Sequence, residues 1–297
     1  LFAETLIKLD RSMKNNPATI SVDAWTSTGI LLEQYAYTPG AVEPLPKHAH
    51  EEYQLGLSFD CHATYFYRGA YHPVQIGSLS IIHSGEVHSP SSHTHLPHPA
   101  HFVIMHIHPQ WMKTAVTDMG KPRSSLPFFA DPCITNPRLN RLFLALQTAI
   151  SQAGSALERE TTLWEFLAEL IEHHARNRPI MRTLPSHPPA VQRACDYLQA
   201  HYNNDVSLEQ LAAIAGLSRF HFCRIFRQAI GLSPNVYQNQ LRIQQAKQLL
   251  LLGYPIAQVS EMTGFYDQSH FSKHFKRMVR VTPKTYARQT SKTAIFS

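Results

Sequence analysis

The feature that most constrains this chain is a pattern that occurs twice in its last third. The first copy runs from Ser207 to Pro234 and the second from Pro255 to Pro283. Gly216 and Gly264 are 48 residues apart, whereas Phe222/Phe271, Phe226/Phe275 and Pro234/Pro283 are each 49 apart. The one-residue difference falls in a turn, where an insertion costs least. In the first copy Ser207, with Gln210 three residues on, makes a capping box that starts a helix. Leu208, Leu211, Ala212 and Ala215 form its buried face, and Gly216 supplies the left-handed conformation in which the chain leaves it. Leu217 fills the space between helices. Ser218 caps a second helix that turns Phe222, Ile225 and Phe226 inward and leaves Arg219, Phe220, Cys223, Arg224 and Arg227 outward. In the second copy Gly264 and Phe265 make the turn and Asp267 caps. Gln268, Ser269 and Lys273 then project outward while Phe271 and Phe275 enter the core.

A helix, a glycine turn and a basic second helix is the pattern of a helix-turn-helix. One copy reads equally well as a plain helical hairpin. Two copies joined by a helix over Pro234–Leu252, in a basic segment, favour a nucleic-acid reader. The charge supports this. Residues 178–297 carry fifteen Lys/Arg and five Asp/Glu, whereas residues 1–177 carry twelve and sixteen. A basic part joined to a mildly acidic part points to a polyanionic partner for one domain only.

These residues resemble the DNA-binding domain of the AraC/XylS transcription regulators. The resemblance covers about 190–289, and the GFYDQSHFSKHFKR run with the trailing Thr282–Pro283 carries most of it. It implies that each copy's second helix enters the major groove of double-stranded DNA, the two about one turn (~34 Å) apart. By motif position the base readers are Phe220, Cys223 and Arg224, then Gln268, Ser269 and Lys273. Arg224 suits guanine, Gln268 suits adenine and Phe220 suits thymine methyls. Ser218, Arg219, Arg227, Lys276, Arg277 and Lys284 are assigned to phosphates, which position without specifying. Arg280 stands where the first copy has Gly231 and the family commonly has glycine, so it either strains the helix end or adds a phosphate contact.

The N-terminal part has a different texture. Apolar and aromatic runs near 30–37, 53–59, 63–68, 78–82 and 101–107 alternate with Pro/Gly/His punctuation, as in an antiparallel barrel or sandwich. Of nineteen histidines, twelve lie between 48 and 108. His48-Ala49-His50, then Gln54, then Gly77 and His83 to His88 resemble the two motifs of cupin barrels. Gln54 stands where a metal-binding cupin has Glu, and His83 stands in place of proline. The resemblance implies an effector site of His48, His50, Gln54 and His88. Tyr65 and Tyr67, on one face of their strand, are read with Trp25, Tyr53 and Arg68 either as lining of the same pocket or as core and cross-strand pairs. Three imidazoles, His48, His50 and His88, also suit a transition metal, but Gln54 is a weak ligand and regulators of this family use the barrel without metal. No cofactor is therefore expected. His93, His95, His98 and His101 are read as an exposed loop.

From residue 137 the period becomes helical. Leu139, Leu142, Phe143, Leu146 and Ile150 mark one stripe, and Leu163, Trp164, Leu167, Leu170 and Ile171 mark another. The expected fold class is α+β: a cupin-like β-barrel over 1–136, a helical dimerisation or connector segment over 137–176 whose stripes face either a second copy or the barrel, a proline-rich linker over 177–189, and an all-α domain with two helix-turn-helix units over 190–290. The four cysteines show neither metal nor redox spacing. No secretory pattern opens the chain and no stretch is apolar enough for a membrane span. The expectation is a cytoplasmic homodimer that binds DNA and a small-molecule effector, with RNA polymerase as a further partner, and that is not an enzyme. The competing reading is a metal-dependent cupin enzyme fused to a DNA-binding domain. Against it, no phosphate-binding loop, nucleophile elbow or paired-acid motif is present.

Overall fold

A computed structural model of the chain describes residues 17–43, 45–90, 95–120, 126–177 and 188–293. His93 and most of the expected 177–189 linker lie outside these residues. Two compact units form, one of residues up to 147 together with 169–179, the other of 148–168 together with residues from 180 on.

The first unit is built on antiparallel strands. Those that matter for the site are β1 (Ile20–Ser27), β2 (Ile30–Tyr37), β4 (Tyr53–Ser58), β5 (Ala63–Tyr67), β6 (Ala70–Val74), β7 (Leu79–Ile82), β8 (His88–Pro90) and β10 (Ala100–Ile107). With β11 (Cys133–Ile134) they make a six-stranded sheet, β1-β2-β10-β4-β7-β11, and a three-stranded sheet, β6-β5-β8. Two short strands, β3 (Gly40–Ala41) and β9 (His95–Leu96), pair separately. The sheets are open. Among the described residues they do not join into a closed cylinder, so the expected barrel is replaced by packed sheets. Tyr65, Tyr67 and Val74 of the smaller sheet cluster with Ile82 of the larger.

Alternation decides which face is dry. On β10 Val103, Met105 and Ile107 are fully buried, beside Leu32 of β2 and Leu55 of β4. The intervening residues, His106 of β10 and Gln54 of β4, are cross-strand partners on the opposite face. Gly56 lies on that face too, and a Cβ there would stand 2.7 Å from Ser80 Oγ.

Helix α1 (Pro109–Asp118) follows β10. Helices α2 (Pro137–Ser151) and α3 (Ala156–His174) follow β11, and the division between the units falls inside both. Leu163, Trp164, Leu167, Leu170 and Ile171 are all buried within this single chain. The stripe expected to face a second copy is therefore already occupied.

The second unit continues with α4 (Pro188–Ala200), α5 (Leu208–Ala215), α6 (Arg219–Ile230), α7 (Pro234–Leu251), α8 (Ile256–Met262), α9 (Gln268–Val279) and α10 (Pro283–Thr293). Local chemistry sets their ends. Ser207 and Gln210 form the capping box of α5, and Gly216 follows at φ 71°. The Ser218 hydroxyl accepts from His221 N–H to open α6, and Asp267 accepts from His270 N–H to open α9. Both second helices end in a left-handed residue, Gly231 at φ 78° and Arg280 at φ 72°. Of the two roles left open for Arg280, the backbone thus shows the strained helix end. No helix among the described residues is long and apolar enough to cross a membrane.

Candidate nucleic-acid interface and effector site

Helices α6 and α9 are the candidate reading helices. On α9 Gln268, Ser269, Lys273, Lys276 and Arg277 are all exposed, and Phe271 and Phe275 are fully buried in a cluster with Ile243, Ala246, Val259 and Phe265. This matches the disposition read from sequence. Helix α6 differs. Arg227 is exposed and Ser218, Arg219 and Arg224 are half-buried, but Phe220 and Cys223, expected outward, are buried at 4% and 7% exposure.

Side chains on the first part of α3 meet α6 and the start of α5. The Arg219 guanidinium sits over the Trp164 ring at 4.8 Å, and Arg227 pairs with Glu165 at 3.0 Å. Glu160 accepts from the Leu208 N–H at the start of α5 at 2.7 Å. Burial, with Glu165 and Glu160 adding to it, pushes the Cys223 thiol well above its ordinary range, so Cys223 is an inert apolar group here. On α9 the Lys273 ammonium donates to the Gln152 amide oxygen. Parts of both candidate DNA surfaces are thus engaged by side chains of 148–168.

The first unit gathers histidines. The ring centroids of His48 and His88 are 4.3 Å apart, those of His50 and His88 4.9 Å, and those of His50 and His106 5.1 Å. An isolated bridge between His48 and His88 brings the first pair together, and the β4–β10 register places His106 opposite Gln54. His50 Nε2 lies 3.0 Å from Gln54 Oε1, and its Nδ1 lies 2.9 Å from the Glu52 carbonyl oxygen. His106 Nε2 faces a Glu33 carboxylate oxygen at 3.4 Å. His88 Nε2 is buried with no hydrogen-bond partner among the described residues. Burial first, then its histidine neighbours, depress His88 to about 4; burial also lowers His106. Both rings are therefore neutral near pH 7, with lone pairs to offer.

A divalent transition metal fits this donor set. His50, Glu52 and His106 present ligand atoms within 4.8 Å of one another, and His88 Nε2 is an orphaned buried nitrogen of the kind such an ion would satisfy. Sequence reasoning found His48, His50, Gln54 and His88 but missed His106, Glu52 and Glu33. His106 and Glu33 reach the group only through strand register.

The tyrosines behave otherwise than expected. Tyr65 donates to the Pro132 carbonyl at 2.8 Å, and the Tyr67 hydroxyl pairs with His83 Nδ1 at 2.8 Å. Both are core residues with committed hydroxyls. Arg68, a candidate for an anionic ligand, is paired with Glu86 at 2.7 Å. His83 Nε2 accepts from the Phe129 N–H at 3.0 Å. Burial, then Arg68, hold this ring down at about 4. Trp25 is half-buried on β1, opposite Leu32. Of the loop expected to be exposed, His98 is exposed, His95 lies half-buried on β9, and His101 is exposed on β10 in a 2.5 Å pair with Asp60.

Comparison with known proteins bears on both units. Residues 35–167 match the model of the AraC-like ligand binding domain, and residues 211–289 match that of a helix-turn-helix domain. The chain belongs to the AraC family of transcription regulators. It is 28% identical over 258 residues to the HTH-type transcriptional regulator YbfI of Bacillus subtilis (strain 168), covering 87% of this chain and 90% of that protein. Similarity to the regulatory protein PocR of Salmonella typhimurium is 30% over 109 residues, 36% of each chain. A transcriptional regulator with an AraC-type DNA-binding domain from Chromobacterium violaceum is 29% identical, covering 34% of this chain and 92% of that one, with a TM-score of 0.33. As an AraC-type regulator the protein carries a ligand-binding domain ahead of a DNA-binding helix-turn-helix domain.

Proposed function

We propose that the protein reads a bipartite DNA site with α6 and α9, and that a small-molecule effector held among His48, His50, Gln54, His88 and His106 controls that reading. The observation that carries the effector site is the buried, unpartnered His88 Nε2 inside a ring of imidazoles. Leaving such a group without a partner costs about 1–3 kcal/mol, and a hydrogen-bonding ligand removes the cost. On DNA, Arg224, Gln268, Ser269 and Lys273 are the base readers, and Ser218, Arg219, Arg227, Lys276 and Arg277 position the phosphates. Phe220 and Cys223 reach bases only after α6 is uncovered.

In this reading the protein acts in the cytoplasm as a regulator and not as an enzyme. A homodimer and a contact with RNA polymerase accompany the reading. Pairing of two copies would use a surface other than the α3 stripe, such as the exposed side of α2 at Leu144. The domain limits proposed are 1–136, 137–176, 177–189 and 190–290.

A second reading of the same cluster is favoured by the His50, Glu52 and His106 set: the effector is a transition-metal ion. Those residues with His88 would hold it, and an ion there would act as a charged cross-link between strands. The deciding experiment selects DNA sites with the full chain, then screens small metabolites and metals for shifts in melting temperature and DNA affinity. Failure to enrich any sequence, or an affinity independent of salt, contradicts the DNA reading, because phosphate contacts release counterions.

A further inference from the structure

A second cluster of ligating side chains lies on the reading helix α9 itself, apart from the histidines of the first unit. His270 and His274 are one turn apart on α9, so both imidazoles leave the same face. Glu158, in the first turn of α3, meets them, and its carboxylate oxygen is 3.9 Å from His270 Nε2. The two rings stand edge to face at 4.4 Å. The three side chains present ligand atoms within 4.8 Å of one another. They line a cavity of about 30 Å³ together with Gln152, Lys273 and Arg277, room for one water-sized body. His270 Nδ1 is buried without a hydrogen-bond partner among the described residues, and His274 is 5% exposed.

We propose that Glu158, His270 and His274 form a binding site for one divalent transition-metal ion of the zinc class, and that filling it ties the reading helix α9 to α3. Two imidazoles and a carboxylate, with a water in the fourth position, are a common zinc set. Burial supports the imidazoles in their neutral, ligating form, pushing His274 down to about 3 and His270 downward too. The opposing charges are Arg277, Lys273 and the buried Arg242, whose guanidinium is held by the Tyr202 and Asn204 carbonyls. The Arg277 guanidinium now donates to His274 Nδ1 at 3.1 Å. It belongs to an exposed, long side chain, which can swing to solvent and release that nitrogen. Lys273 is already turned to Gln152, and the Glu158 carboxylate offsets part of the remaining repulsion.

The ion requires Glu158 beside α9, whereas DNA requires the Lys273 face of α9. Metal and DNA are therefore antagonists, each weakening the other by the same factor. This coupling, unlike the site, rests on the reading of α9 as a DNA-reading helix.

The test uses the full chain, stripped with chelator and dialysed, and titrated with Zn²⁺ and with Co²⁺ as a spectroscopic probe. The histidines of the first unit can also take metal, so the readout is the difference between wild type and the H270Q/H274Q double variant. Wild type should take up one more equivalent, with a four-coordinate Co²⁺ absorption that the variant lacks. E158Q, which leaves α9 unaltered, should bind that equivalent at least about tenfold more weakly, and it serves where the double variant fails to fold. Zn²⁺ should weaken DNA binding by wild type and leave both variants unresponsive. Equal stoichiometry and affinity in wild type and E158Q overturns the site. A lost equivalent without any zinc effect on DNA binding overturns the coupling and leaves the site standing.

Discussion

Gly216 and Gly264 occupy equivalent turns, yet alanine should be tolerated very differently at the two. Both sit at positive φ, 71° and 76°, so each Gly→Ala pays a left-handed backbone cost of about 1–2 kcal/mol. At Gly216 that is the whole cost, because nothing lies within 4 Å of an added Cβ. At Gly264 the Cβ would fall 2.1 Å from the Asn203 carbonyl oxygen and 2.7 Å from its carbonyl carbon. Those are backbone atoms and cannot rotate away. The 202–204 segment is itself held down: Arg242, 2% exposed, donates to the Tyr202 carbonyl at 2.7 Å and to the Asn204 carbonyl at 2.9 Å, and Gln238 donates to both. Overpacking against a fixed wall adds about 1–3 kcal/mol or more. Gly264→Ala should therefore cost roughly 2–5 kcal/mol against about 1–2 for Gly216→Ala, a large share of a total near 5–15 kcal/mol. Urea denaturation of the full chain, followed by hydrogen exchange at α8 and α9 amides, measures the difference by unit. DNA affinity should fall with Gly264→Ala and hold with Gly216→Ala. Equal destabilisation by the two variants would refute the reasoning, since only the approach of Asn203 distinguishes them.

Arg224→Ala should cost about 1–3 kcal/mol on the preferred DNA site and relax preference at one base pair, whereas Lys276→Ala should weaken all sequences alike; uniform loss in both would show the division of roles to be wrong. The double change His50→Ala and His88→Ala should abolish the effector response while leaving salt-dependent DNA binding in place, and an unaltered response would remove the proposed effector site. His83 has its folded value depressed from 6.5 to about 4, so its neutral form stabilises the fold above pH 6.5, and that contribution is lost as the pH falls from 6.5 towards 4. The loss by pH 5 is on the order of 2 kcal/mol. Urea midpoints between pH 7 and pH 5 should accordingly fall less in His83→Gln than in wild type, and identical pH slopes would contradict the buried neutral ring.

What could be read from sequence is what local chemistry fixes. The capping box at Ser207, the caps at Ser218 and Asp267, and the left-handed turns at Gly216 and Gly264 each depend on neighbours a few residues away, and each appears as expected. Strand β2, Ile30–Tyr37, coincides with the apolar run that announced it. What depended on distant partners was missed. His106 joins the histidine cluster because β10 pairs with β4 in a register that no single strand encodes. The alternation around Tyr65 and Tyr67 showed that they share a face, but not that Pro132 and His83 would take their hydroxyls. His270 and His274 stand at helical spacing in plain view, yet Glu158 is remote in the chain, so their common role was invisible. Phe220 and Cys223 stand at the helical positions read as outward, yet both are buried.

Side chains of 148–168 meet part of the helix proposed to read DNA. The Arg227–Glu165 pair is half open to water, and such a pair contributes about 0–1 kcal/mol, too little to hold α6 closed. The burial of Phe220 and Cys223 contributes more, because apolar surface removed from water is worth about 25 cal/mol per Å². DNA must therefore compete first with apolar contacts, which salt does not screen, and only then with ion pairs, which it does. Apparent affinity falls by the fraction of molecules in which α6 is uncovered. An effector that bound the covered and uncovered forms equally would change nothing; one that favours either form by a few kcal/mol shifts DNA occupancy by orders of magnitude. In the proposed reading, Glu165 and Trp164 of α3 would set a threshold that a signal from the ligand-binding domain has to overcome.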